Sequence, residues 1–258
     1  MSSQWSIANL RTFRVDACVD LKYMRTWFVF FAISVVTVAF AIAVMFHMFV
    51  FRDRDVFFLY ARTWSRILLR LAGIRVVSFG LDRIRATERY VYTCNHASLF
   101  DIPVVLASIP DNIRIMYKRE LEKIPVFGWC LRMSPFIAID RADGRDAMAR
   151  LEETVESMRA GSSVLVFPEG TRSEDGRVAQ FKRGAFVLAA RSGKPLIPVA
   201  LVGTHNILPA RTRRIVPGTV ELHIEDPVVL ESPVSRQAES TAMATVRTSI
   251  GRHVDLQV

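Results

Sequence analysis

From Trp27 to Phe51 the chain runs for 25 residues without a formal charge, and His47 is the only titratable side chain among them. Twenty residues of helix rise about 30 Å, the thickness of a bilayer core, so the run predicts a membrane-inserted helix. A buried helix of a soluble protein fits less well, because the stretch is long and uniformly apolar for a domain of this size. A cleaved signal peptide is not expected: Ala41-Ile42-Ala43 lies inside the run and not after it. Arg11, Arg14, Lys22 and Arg25 precede the segment, and Arg52, Arg54, Arg62, Arg66 and Arg70 follow it. Basic residues on both sides leave orientation open, and with it the choice between a single span and a hairpin dipping into one leaflet.

Between Val56 and Ala72 the pattern becomes two-faced. Phe57, Tyr60, Trp64, Ile67, Leu68 and Leu71 recur at helical spacing, while Arg62, Arg66 and Arg70 stack at i, i+4 and i+8. A helix in the interface plane with its arginines toward lipid phosphates is expected. Phe58, Leu59 and Leu69 blur the polar face, so a helix packed between membrane and protein fits equally well, and a solvated arginine stripe is the plainer alternative. Residues 1–73 read as an N-terminal membrane anchor, made of the apolar segment 27–51 and the amphipathic helix 56–72.

After Gly73 the period changes. Strands are predicted at Arg75–Phe79, Tyr90–Cys94, Ile113–Tyr117, Phe136–Ile139, Ser163–Phe167, Leu196–Val202 and Thr219–Ile224. Helices are predicted at Asp101–Ser108, Gly144–Arg159, Phe181–Arg191 and Ser240–His253, with Gly161 and Gly193 as stops behind two of them. Strands alternating with helices predict an α/β domain over 74–258, a single mostly parallel sheet flanked by helices.

Composition sharpens this picture. Of 258 residues 51% are hydrophobic, and 34 Lys+Arg against 25 Asp+Glu give a net charge of +9. Disordered, collagen-like and disulfide-scaffold chains are excluded. A pI near 10.0 points to nucleic acid or an anionic membrane surface, but a mean hydropathy of +0.24 is unusual for a soluble nucleic-acid binder and ordinary for a membrane-associated enzyme. The 29 arginines against five lysines suit phosphate recognition, or reflect a GC-rich genome. Cys18, Cys94 and Cys130 are odd in number and at no metal spacing, so reduced thiols are expected.

Two short segments carry candidate chemistry. Asn95-His96-Ala97-Ser98-Leu99-Phe100-Asp101 follows a strand and opens a helix. His96 there suits a general base, and a strand-to-helix turn can fold Asp101 back onto its ring. The same residues also read as an N-terminal cap, Ser98-x-x-Asp101, ahead of Ile102-Pro103. Phe167-Pro168-Glu169-Gly170-Thr171-Arg172-Ser173 likewise follows a strand, and its turn presents a carboxylate, a hydroxyl and a guanidinium. Such a loop can hold a phosphate through Arg172 and free backbone N–H groups, or be a surface turn with solvated charges. Lys182 and Arg183 add cations just beyond it. Walker, Rossmann, zinc and Gly-x-Ser-x-Gly patterns are missing from the sequence.

Taken in order, these segments resemble the glycerolipid acyltransferase family, most closely its 1-acyl-sn-glycerol-3-phosphate acyltransferase branch. Asn95–Asp101 is similar to the family's NH-x4-D block. Lys118-Arg119-Glu120-Leu121, Ile124–Trp129 and Phe136–Arg141 resemble its second block, Phe167–Ser173 its FPEGTRS block, and Pro195–Val199 its proline-containing strand. Ala97 stands where glutamine is commonest, and Ser134-Pro135 where a glycine turn is usual.

The resemblance implies transfer of an acyl group from acyl-CoA or acyl-carrier protein to the free hydroxyl of a lysophospholipid, giving phosphatidic acid for phospholipid synthesis. His96 would take the hydroxyl proton, and Asp101 would orient His96. Arg172, helped by Lys118 and Arg141, would hold the acceptor phosphate, with Glu169, Gly170 and Thr171 in the turn beside it. No cofactor, metal or nucleic acid is implied. The location implied is the inner (cytoplasmic) membrane, with the catalytic domain facing the cytoplasm. Other acceptors, such as a lyso-ornithine lipid or lysophosphatidylglycerol, stay open. Metal-assisted phosphoester hydrolysis by His96, Asp101 and Glu169, and a non-catalytic membrane adaptor, are the remaining alternatives.

Overall fold

The computed structural model describes residues 7–140, 144–230 and 234–255, with the side chains of 7–23 and 144–147 excepted. The apolar run lies within helix α1 (Ile7–Phe51), whose stretch Met24–Phe51 is 28 residues long and apolar enough to cross a membrane. Helix α2 (Val56–Ala72) returns along it. Trp64 Nε1 donates to Thr37 Oγ1 at 3.0 Å, the Tyr60 hydroxyl lies 3.5 Å from His47 Nδ1, and Arg25 Nη2 donates to the Ala72 carbonyl at 3.1 Å. Partner numbers fall along α1 as they rise along α2, so the two helices form an antiparallel hairpin. Gly73 ends α2 in the left-handed region at φ 74°, where its amide closes on Arg70.

Beyond the hairpin come β1 (Ile74–Phe79), β2 (Val91–Cys94), α3 (Asp101–Ser108), β3 (Ile113–Lys118), α4 (Phe127–Met133), β4 (Ile137–Ile139) and α5 (Gly144–Arg159). Then follow β5 (Ser163–Val166), α6 (Gly184–Ser192), β6 (Leu196–Val202), the short α7 (Thr204–Ile207), β7 (Gly218–Ile224) and α8 (Arg236–Val254). The seven strands form one sheet in the order β1-β7-β6-β2-β5-β3-β4. All neighbours are parallel except β6 and β7, so β1 and β7 run against the other five. Each predicted strand is present.

Period-two alternation sorts the core into two layers. Tyr92 and Cys94 of β2 and Ile197, Val199 and Leu201 of β6 face the layer built from α1, α2 and α3. Val91, Leu196, Ala200 and Val202 face the layer of α5, α6 and α8. Helix α2 lies between α1 and α3, burying Phe57, Phe58, Ala61, Ser65, Leu68, Leu69 and Ala72. It is therefore packed between two partners and does not lie free. Of its arginine stripe, Arg62 turns in to the Asp111 carbonyl at 3.2 Å, while Arg66 and Arg70 stay exposed.

Two helix boundaries differ from the sequence expectation. The helix predicted from Phe181 starts at Gly184, because Phe181 is buried and the Lys182 amide donates to the Pro168 carbonyl at 2.8 Å. The helix predicted from Ser240 starts at Arg236, where the Ser235 hydroxyl accepts from the Ala238 amide at 3.0 Å.

Candidate active site

Because β6, β2, β5, β3 and β4 are parallel, the loops leaving their carboxyl ends share one edge, where open α/β sheets bind ligands. The loop after β2 carries His96, the loop after the adjacent β5 carries the Phe167–Ser173 turn, and β3 ends on Lys118.

His96 Nδ1 and Asp101 Oδ2 are 2.7 Å apart. The same oxygen accepts from the amides of Ala97 and Ser98, each at 2.8 Å. Asp101 is fully buried, while the His96 side chain keeps 16% of its surface. An ionised carboxylate accepting from Nδ1–H leaves Nε2 as the ring's unprotonated nitrogen. The ring is held from one side by Phe167, stacked at 4.1 Å between centroids.

The capping reading of Ser98-x-x-Asp101 holds alongside the dyad: the Asp101 carboxylate accepts from the Ser98 amide at 2.8 Å and the Ser98 hydroxyl from the Phe100 amide at 3.4 Å. The same carboxylate also takes the Ala97 amide and the His96 ring, so one oxygen serves the turn and the dyad together. The Ser98 hydroxyl donates to the Leu208 carbonyl at 3.0 Å, tying the turn to the loop after β6.

Glu169 clamps the histidine loop to its neighbour. Its Oε1 accepts from the His96 amide at 2.7 Å and its Oε2 from the Ala179 amide at 3.0 Å, and the Ser173 amide donates to the His96 carbonyl at 2.7 Å. Burial raises the Glu169 carboxyl above the ordinary carboxylate range, with the two amides opposing. Gly170 turns at φ 77°, and Lys182 crosses so close over it that an added Cβ would come 2.7 Å from Nζ. Thr171 is exposed and Arg172 half-buried in this turn, and Arg172 has no ion-pair partner among the described residues. Arg183, by contrast, is committed to Glu239 of α8.

Lys118 stands apart. It is exposed, bonded to Glu120 at 2.8 Å, and two strands from β2, about 10 Å by ordinary strand spacing. Arg141 lies outside the described residues. His96, Asp101, Glu169, Gly170 and Arg172 are thus gathered on two adjacent loops, and Lys118 is not among them.

Sequence reasoning missed several supports. Asn95 is buried and imitates a strand, its Nδ2 donating to the Leu201 carbonyl at 2.9 Å and its Oδ1 accepting from the Leu201 amide at 2.8 Å. Cys94 lies beside the dyad, but burial pushes its thiol well above the usual range, which leaves it a poor nucleophile. Among the described residues no three His, Cys, Asp or Glu side chains are placed to hold a metal ion.

An apolar cavity of about 300 Å³ begins next to the dyad, at Leu99 and Ile102, and runs between the α1–α2 hairpin and α4. Ala41 and Val44 of α1, Ala61 and Trp64 of α2, and Cys130 and Leu131 of α4 line it.

A family model described as Acyltransferase matches residues 75–202. The chain is 35% identical over 178 residues to a chloroplastic 1-acyl-sn-glycerol-3-phosphate acyltransferase of Brassica napus, covering 66% of this chain and 52% of that relative. A chloroplastic protein of the same description from Arabidopsis thaliana is 31% identical over 205 residues, 76% of this chain and 56% of that one. The chain spans about half the length of these curated relatives. The crystal structure of the 1-acyl-sn-glycerophosphate (LPA) acyltransferase PlsC from Thermotoga maritima superposes with a TM-score of 0.78 at 29% identity, covering 92% of this chain and 95% of that one. With its ordered motif blocks, its sheet and its histidine–aspartate turn, the chain belongs to the acyltransferase family.

Proposed function

We propose that this protein is a membrane-associated acyltransferase that moves a fatty acyl group from an acyl thioester to the free hydroxyl of 1-acyl-sn-glycerol-3-phosphate, giving phosphatidic acid. The observation that carries the reading is His96, fixed by Asp101 beside the Phe167–Ser173 turn. His96 Nε2 removes the acceptor hydroxyl proton as the oxygen attacks the thioester carbonyl. The carbon–sulfur bond of the tetrahedral intermediate then breaks, and the imidazolium returns that proton to the departing thiolate. Asp101 stabilises the imidazolium between these steps. No acyl-enzyme is needed, which suits the raised Cys94 thiol.

Arg172 faces the acceptor phosphate in this scheme, because it sits on the loop beside His96 and has no ion-pair partner among the described residues. The apolar cavity takes an acyl chain, since its lining offers little else. Lys118 serves as an outlying cation for anionic substrate groups, and Arg141 assists Arg172 at the phosphate. Catalysis takes place on the cytoplasmic face of the inner membrane, with α1 lying in one leaflet. The deciding experiment offers purified protein several lysolipids with acyl-CoA and acyl-carrier protein in parallel, with products read by mass spectrometry. Phosphatidic acid from lysophosphatidic acid is expected, and exclusive acylation of a phosphate-free lysolipid would overturn the acceptor assignment.

A further inference from the structure

Between β3 and β4 the chain exposes more large apolar side chain than a short connection needs. Ile124 is 45% and Trp129 52% exposed, and Leu121 and Met133 are also open. Single exposed hydrophobics are ordinary on soluble proteins, but contiguous ones mark an interaction surface. Here they are contiguous with something larger. Helix α4 packs on α1, and Arg54 Nη2 from the hairpin tip donates to the Met133 carbonyl at 3.4 Å. The patch therefore adjoins a helix that leaves its own apolar stripe uncovered, which includes Phe31, Ile42 and Phe46.

Two further observations give the patch a purpose. Leu99 and Leu121 are exposed and line the cavity at the same time, so the cavity opens onto this surface. The exposed Lys123 and Arg132 are interspersed with the apolar residues, while Glu120 is engaged by Lys118 and Glu122 accepts from the Tyr117 hydroxyl. A tryptophan among lysine and arginine suits the headgroup level of an anionic bilayer.

The backbone holds this display in place. Val126 sits at φ 63°, ψ −59°, a sparsely populated region for a β-branched residue. Gly128 presses on the preceding 3-10 turn, Arg119–Lys123, so closely that a Cβ would collide with the Glu122 carbonyl. Together they keep Cys130 and Leu131 inward and Trp129 outward.

We propose that Leu121–Met133 is a second membrane-seated element, resting at headgroup level on an anionic bilayer and setting the cavity mouth at the acyl boundary. Lipid chains then pass between bilayer and cavity without crossing water. This rests on the reading of α1 as membrane-bound, and the test separates the two. The full chain is prepared in two single-tryptophan forms. One keeps Trp129 (Trp5→Phe, Trp27→Phe, Trp64→Phe); the other keeps Trp27 on the exposed face of α1 (Trp5→Phe, Trp64→Phe, Trp129→Phe). Each is bound to phosphatidylcholine–phosphatidylglycerol vesicles whose acyl chains carry bromine.

Quenching of both tryptophans is expected. Quenching of Trp27 alone overturns the proposal while α1 stays in the membrane, and quenching of neither removes both readings. In a second arm, the double variant Ile124→Glu, Trp129→Glu should lose about tenfold in activity on vesicle-embedded lysolipid and keep its rate on a water-soluble short-chain acceptor. Equal loss on both acceptors counts against a membrane role for the segment.

Discussion

Asp101 Oδ2 accepts from three donors at once, the His96 ring and two backbone amides, so the carboxylate has no rotational freedom left to lose. Asp101→Asn can keep the shape of this arrangement but not the charge that stabilises an imidazolium. A loss of roughly 10²- to 10⁴-fold in kcat is expected, the range of general acid–base catalysis. His96→Ala should abolish transfer while circular dichroism and membrane sedimentation stay as in the wild type; retained turnover in that variant would remove His96 as the base. Arg172→Ala should chiefly raise the acceptor KM, and an effect confined to the donor would contradict a phosphate role.

Glu169 offers a test by pH. Its carboxyl is raised above an ordinary value of 4.5, chiefly by burial. A raised carboxyl binds its proton more tightly in the folded chain. Its stabilising contribution is complete below the ordinary value and is lost as pH rises through the folded one. Glu169→Gln removes that slope, so urea unfolding from pH 4.5 to neutrality should find the wild type losing stability relative to the variant. A constant difference across the series would exclude the linkage.

At this scale the H-x4-D spacing is legible because its partners are five residues apart. The Asn95–Leu201 and Ser98–Leu208 bonds are not, since they join positions separated by 106 and 110 residues. The cap and the dyad share one local pattern, and the backward turn of the Asp101 carboxylate satisfies both.

Among the elements, strands were legible wherever a sheet position is buried on both faces, as in β6, whose seven residues are all buried. Helix α4 was not. It has seven residues, Pro125 just before it and Gly128 inside it, far below the length at which a helix sustains itself. Packing on α1 holds it, and local sequence carries no trace of that. The face of α2 was only half readable for a related reason. A helix wedged between two partners buries two faces, and a single apolar stripe describes one.

These joints make predictions of their own. Asn95→Ala strips both bonds from the Leu201 backbone at the join of β2 and β6, leaving a buried N–H and C=O unpaired at about 1–3 kcal/mol each. Chemical denaturation should register that loss, and a change within a few tenths of a kcal/mol would mean that water replaces the side chain. Ala61→Phe adds bulk to the cavity between α1 and α2. Mass spectrometry of products from a mixed donor pool should find shorter acyl chains than in the wild type, and an unchanged distribution would move the chain elsewhere.

For the molecule as a whole, the apolar run is long enough to cross a membrane, and the proposed function places it there without fixing how it sits. Trp27, Phe28, Phe31, Val35, Val38, Ile42, Phe46 and Phe49 are exposed along one face of α1, while Val29, Ala41, Val44 and Met48 are buried. A helix crossing the bilayer would carry its antiparallel partner α2 into the hydrocarbon. Trp64 meets Thr37, midway along the apolar stretch, so the exposed Arg66 would lie near the midplane at a cost of about 3 kcal/mol. Lying in one leaflet avoids this: the uncovered stripe of α1 faces the acyl chains while Arg66 and Arg70 reach headgroups. Both ends of the hairpin then share one side of the membrane. The three cysteines can be replaced (Cys18→Ser, Cys94→Ala, Cys130→Ala), and single reporters introduced as Asp53→Cys at the hairpin tip and Arg75→Cys on β1, both exposed positions. With a membrane-impermeant maleimide, both reporters should label in inside-out vesicles and neither in right-side-out ones. Labelling of Asp53→Cys from the opposite side to Arg75→Cys would establish a span, and the arginines of α2 would then need partners inside the bilayer.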